Sequence, residues 1–212
     1  MMSKFSKFQI SIFVIWLFTL SALIGMQLGY TDWFLSLSPL NLSIYLALII
    51  WNVDEKVMII KALFIPFGFG MLVEFLGVNY GLIFGNYQYG ENLGVKIKGV
   101  PLMIGVNWAI LTFASASLSR YFFKNSTAAL LGAAIMMVLL DLIIEIAAPA
   151  MDYWKFQKGI VPVQNYVGWL GTAFIVHLLF QKVNTSYHPR LSLHLMLAII
   201  LFFTFFILVI HP

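Results

Sequence analysis

Three acids stand inside otherwise apolar stretches of this chain: Glu74, Asp141 and Glu145, with Asp152 just beyond the end of the second stretch. A charge surrounded by hydrocarbon is costly, so such residues mark a place where protons move, ions pass or helices are joined by hydrogen bonds. Asp141 and Glu145 are four apart, which puts them on one face of a helix, and two carboxylates there cannot both ionise cheaply. At least one is expected to stay protonated. A neutral carboxylic acid in a dry site is what proton donation to an unactivated carbon–carbon double bond requires. Each acid taken singly reads equally well as a link between helices, whereas three together point to chemistry.

Around them the sequence supplies Asn79, Tyr80, Tyr87, Tyr89, Asn107, Trp108, Trp154, Asn165, Tyr166 and Trp169. Ring faces can stabilise a carbocation, although each ring alone also fits an aromatic belt at the level of the lipid headgroups. Glu74, Asp141 and Glu145 are therefore the candidate catalytic residues. The asparagines and the rings other than Tyr166, with Asp152, are candidates for substrate binding.

Other chemistries lack their residues. There are no cysteines, which removes disulfides, thiolate metal sites and a cysteine nucleophile. His177 and His194 have no second histidine or acid at ligand spacing, so no metal site is expected. Aspartate-rich diphosphate motifs, a phosphate-cradling glycine loop and a G-x-S-x-G elbow are all missing, which leaves prenyl transfer, nucleotide hydrolysis and serine hydrolysis without support.

The elements that must position the acids follow from composition. With 62% hydrophobic and 9% charged residues, against about a quarter charged in soluble domains, water cannot be the main solvent. A bilayer core about 30 Å thick takes roughly 20 apolar residues per helix, and the apolar stretches predict seven helices, near 8–28, 33–51, 57–77, 101–121, 127–148, 165–182 and 191–210. The expectation is an all-α, polytopic transmembrane bundle, one domain over residues 1–212, in the cell membrane. The first apolar run continues to about Leu28 without a cleavage site, so it is read as a retained helix rather than a signal peptide.

Lys4, Lys7, Lys56, Lys61, Arg120, Lys124, Lys182 and Arg190 would fall on one side, and Lys96, Lys98, Lys155 and Lys158 on the other. That bias predicts a cytoplasmic N-terminus and an external C-terminus. The formal net charge of +4 is scattered beside apolar runs, so lipid headgroups rather than nucleic acid are the expected partners. Pro66 suggests a kink in the third helix, and Pro101 suits the first turn of the fourth. The glycine- and tyrosine-rich connection 78–100 reads as an interfacial or re-entrant segment.

Two blocks carry a resemblance: EFLGVNYGLIFGNYQYGENLGVKIKGVPLMIGVNW, from Glu74 to Trp108, and DLIIEIAAPAMDYW followed by GIVPVQNYVGWL, from Asp141 to Leu170. They resemble the membrane carotenoid hydratases, of the γ-carotene 1′,2′-hydratase and bisanhydrobacterioruberin hydratase type, over roughly residues 57–182. The resemblance implies cofactor-free addition of water across the terminal double bond of an acyclic carotenoid end group, with the polyene entering from lipid. On that reading Asp141 or Glu145 protonates C2, a tertiary cation forms at C1, and water held by Glu74 or an asparagine attacks it. The chain departs from the family pattern near Glu145, which precedes Ile146-Ala147-Ala148-Pro149 where the family tends to carry an aspartate directly followed by proline. The proton donor therefore stays open between the two acids.

Three other readings compete. A lycopene-cyclase-like enzyme would form the same cation and close a ring on it. A proton-coupled carrier would use the acids as a relay. A structural partner in a pigment-synthesis complex would need them only for packing.

Overall fold

The computed structural model describes residues 5–184 and 186–211; Lys4, one of the charges used above for orientation, lies outside them. Among the described residues the chain forms α1 (Lys7–Gln27), α2 (Thr31–Ser36), α3 (Ser38–Asn52), α4 (Lys56–Tyr80), β1 (Tyr87–Tyr89), β2 (Lys96–Ile97) and β3 (Val100–Pro101). These are followed by α5 (Leu102–Phe122), α6 (Ser126–Ala147), β4 (Trp154–Phe156), α7 (Val163–Val183) and α8 (Pro189–Phe205), which runs on as a wider π-helical turn to Ile210. Among the described residues six helices are long and apolar enough to cross a bilayer: α1, α4, α5, α6, α7 and α8 with its extension. The protein is an all-helical membrane protein apart from four short strands among the described residues.

The stretch expected as one helix at 33–51 is divided at Leu37 into α2 and α3. Pro39 sits in the first turn of α3; it has no N–H to give to the Leu35 carbonyl of a continuing helix, and the Ser38 hydroxyl donates to that carbonyl instead, at 2.5 Å. At 1.5 Å per residue α3 is only about 22 Å long, short of the roughly 30 Å hydrocarbon core. Pro66, by contrast, is carried inside α4.

Packing is organised around α5, whose most apolar window is 83% buried, against 28% for α1. It lies against α3, α4, α6 and α8. Small residues permit this closeness, because without a side chain in the way two helix backbones can approach and gain dispersion contact that lipid does not supply. A Cβ on Gly105 of α5 would come within 2.7 Å of Phe67 of α4, and one on Gly70 of α4 within 2.5 Å of Trp108 of α5. Each helix thus sinks an aromatic ring into the other's glycine.

The connections after α4 and α6 meet over one end of the bundle. β1 pairs antiparallel with β4, in the register Tyr87 with Phe156, Gln88 with Lys155 and Tyr89 with Trp154. Because side chains alternate along a strand, the four rings share one face and Gln88 and Lys155 share the other. Next to this ribbon, β2 and β3 form a hairpin whose two turn residues, Lys98 and Gly99, have φ of 48° and 86°, the left-handed pair that a two-residue hairpin loop demands.

Candidate active site

All three membrane acids lie near the ends of α4 and α6 that the β1–β4 ribbon covers, and all three are buried, at 3% exposure for Glu74, 2% for Asp141 and 5% for Glu145. Gly70, Glu74 and Gly77 recur at intervals of four and three, so they share one face of α4. Gly70 leaves the space that Trp108 fills. A Cβ on Gly77 would come within 2.6 Å of the Tyr87 hydroxyl. The two glycines therefore seat the two rings that flank the acid between them.

Glu74 is held by three donors: the Tyr87 and Tyr89 hydroxyls donate to Oε2 at 2.5 and 2.6 Å, and the Trp108 indole N–H donates to Oε1 at 3.1 Å. Burial, and then the neighbouring Glu74 carboxylate, push both phenols of the strand above their ordinary range, so they remain protonated and able to donate. On α6, Glu145 accepts from the Trp154 indole at 3.0 Å and from the Asn165 carboxamide at 3.0 Å. The same Asn165 nitrogen donates to Asp141 Oδ2 at 3.1 Å. Asn165, itself 2% exposed, thus bridges the two acids from α7, while Asp141 Oδ1 is buried without a partner among the described residues.

Glu74 and Glu145 face a common cavity of about 20 Å³, also lined by Phe84, Tyr87, Tyr89, Ile104, Asn107, Trp108, Trp154, Phe156, Asn165 and Trp169. That is room for about one water molecule. Trp108 and Trp169 stack with ring centres 4.3 Å apart and planes 11° from parallel. Asp141 is not in the lining. It reaches the cavity through Asn165.

Of the residues singled out from the sequence, Tyr87, Tyr89, Asn107, Trp108, Trp154, Asn165 and Trp169 are brought together with Glu74 and Glu145. Asn79, Tyr80 and Asp152 are not. Asn79 is exposed and donates to the Phe75 and Lys98 carbonyls, tying the end of α4 to the β2–β3 turn. Tyr80 is 65% exposed and packs edge-on against Phe75. Asp152 is exposed and accepts from the Glu91 backbone N–H at 2.7 Å, joining the two loops. Tyr166 is half-buried on α7, outside the cavity lining.

Phe84, Ile104 and Phe156 line the cavity without having been singled out. Phe156 had a signal, because Trp154-Lys155-Phe156 alternates apolar and charged residues as a half-buried strand does. Phe84 had none. It is placed by Ile83, whose φ is +68° and whose carbonyl would lie 2.4 Å from a Cβ on Gly168 of α7.

A membrane-type bundle that buries three acids beneath a cap of tyrosine and tryptophan defines a class: polytopic membrane proteins with a buried cluster of carboxyl groups. This chain belongs to the carotenoid biosynthesis protein family, whose model matches residues 34–211. It is similar to a bisanhydrobacterioruberin hydratase of Haloarcula japonica, 31% identical over 116 residues, which covers 51% of this chain and 40% of that protein. The match therefore spans less than half of that relative's length. No solved structure matches the chain.

Proposed function

We propose that this protein is a carotenoid hydratase, which adds water across the terminal double bond of an acyclic end group and needs only a proton and water as reagents. The observation that carries the reading is the pair of acids, Glu74 and Glu145, that face one water-sized cavity walled by indole rings. The family and the similar hydratase supply the substrate class.

Glu145 is the proton donor in this scheme, because it lines the cavity and Asp141 does not. Its proton goes to C2 of the end group, and the π electrons form the new C–H bond, leaving a tertiary cation at C1. Trp108 and Trp169 are among the rings that line the cavity, and contact of the cation with a free ring face there would be worth roughly 0.5–2 kcal/mol. A water in the cavity attacks C1, and Glu74 takes the proton it releases. Three donors converging on Glu74 are the pattern of an acceptor, as that role requires. Asp141, through Asn165, holds Glu145 in place. Passage of the proton from Glu74 back to Glu145 completes the cycle, with a tertiary alcohol as the only product.

The test is expression in cells that make lycopene or γ-carotene, grown with heavy-oxygen water. The expected outcome is a 1-hydroxy carotenoid carrying the label. A cyclised hydrocarbon without oxygen would refute hydration in favour of ring closure, and unchanged carotenoid would refute both.

A further inference from the structure

We infer that a second and larger cavity beside the acid site seats the conjugated chain of the substrate, and that the chain slides into it sideways from lipid between α1 and α3. The identity of the occupant rests on the hydratase reading; the location and the entry route rest on geometry.

This cavity measures about 400 Å³ and is enclosed by α1, α2, α3, α5 and α8, with Leu93, Tyr153 and Trp154 closing one end. No charged side chain lines it among the described residues, and hydroxyls in its wall satisfy one another, Thr19 with Tyr45 at 3.1 Å and Ser38 with Tyr153 at 2.6 Å. Ser21, Asn41 and Asn107 are the other polar side chains of the wall, Asn41 Oδ1 being buried without a partner among the described residues, and the rest is carbon, much of it aromatic, which suits a long, flat, uncharged molecule. Ile104, Asn107 and Trp154 line this cavity and the acid cavity alike. Trp154 donates its indole N–H to Glu145. A chain lying in the larger space would therefore bring its tip to the wall behind which Glu145 waits.

The mouth is as specific as the interior. Leu17, Trp33 and Leu40 are 47%, 59% and 50% exposed along α1, α2 and α3, and Ser21 beside them is exposed too. In a bilayer that exposure faces hydrocarbon. A Cβ on Gly25 of α1 would lie 1.7 Å from the Phe34 ring, so this glycine lets α2 fold down across α1 and form the rim. An end group with no charge has no cause to enter from water.

The experiment uses the purified full chain in detergent, titrated with lycopene and read by the circular dichroism induced in the polyene absorption band. Ala198→Phe fills the interior, Ser21→Trp obstructs the exposed mouth, where the fold tolerates bulk, and Leu139→Phe on the lipid face of α6 is the control. Overpacking of this kind is expected to weaken lycopene binding about tenfold in the first two variants and not in the third. Equal binding by all four proteins would overturn the proposal, and so would oleate displacing lycopene with equal affinity, since the cavity would then be a general lipid site. If wild type binds, the two variants lose binding, and no alcohol forms with any carotenoid, the chain site stands and the hydratase reading falls.

Discussion

The clearest consequence of the geometry concerns the two tyrosines on Glu74. Both hydroxyls donate to the same oxygen, Oε2, at 2.5 and 2.6 Å. Tyr87→Phe or Tyr89→Phe alone leaves that oxygen one good donor, so each should cost near the lower end of the roughly 1.5–3 kcal/mol typical of a hydrogen bond to a charged group, about tenfold in rate. Removing both leaves Oε2 buried and bare. Glu74 then no longer waits as an acceptor and instead competes for the proton meant for the alkene. The double variant should lose about 1 kcal/mol more than the sum of the single effects, an overall loss of roughly 500-fold or more. The assay is the initial rate of carotenoid alcohol formation by the four purified proteins under one set of conditions, with lycopene binding measured in parallel. Strictly additive losses, or a double variant within threefold of wild type, would refute the assignment of Glu74 as the acceptor.

Glu145→Gln should reduce turnover by about 10²–10⁴, the range for loss of a general acid, whereas Asp141→Asn, one residue removed from the cavity, should cost nearer tenfold; rates for the two variants in the reverse order would exchange their roles. Gly77→Val should displace the Tyr87 ring, which a Cβ at that position would meet at 2.6 Å, and lower activity at least as far as Tyr87→Phe while helical circular dichroism is retained. Burial pushes the Tyr153 phenol up to about 12, with Ser38 partly opposing. The unfolded chain ionises its tyrosines near pH ~10, so this group's contribution to stability is complete below that pH and is lost as pH rises toward 12. The melting temperature in detergent should therefore fall over that window, and the fall should be smaller in Tyr153→Phe.

Much of this protein is legible in its residues alone. Hydrophobic runs of about twenty residues can satisfy their backbone only as helices in lipid, so the six long spans were predicted to within a few residues of where they lie. The cost of burying charge picked out Glu74, Asp141 and Glu145 with no reference to shape. The local rule failed at 33–51, where Pro39 outweighed the hydropathy of the run, and at Asn79, Tyr80 and Asp152, which were grouped with the acids because they are near in sequence and of suitable type. Asn79 and Asp152 tie loops in place, and Tyr80 packs on Phe75 of its own helix. The composition of the connection 78–100 marked it as special but held no sign of its partner.

That partner was decided in three dimensions. Tyr89 faces Trp154 and Tyr87 faces Phe156 only because β1 and β4 pair, and strands so far apart in the chain meet because α4, α6 and α7 pack together. Asn165 joins Asp141 to Glu145 only once α7 lies against α6. Hydropathy and charge act on each residue through the solvent around it, so they can be read along a chain. Which donor reaches which acid depends on contacts between segments, and those contacts exist only after the glycines of α4 and α5 have let the helices close.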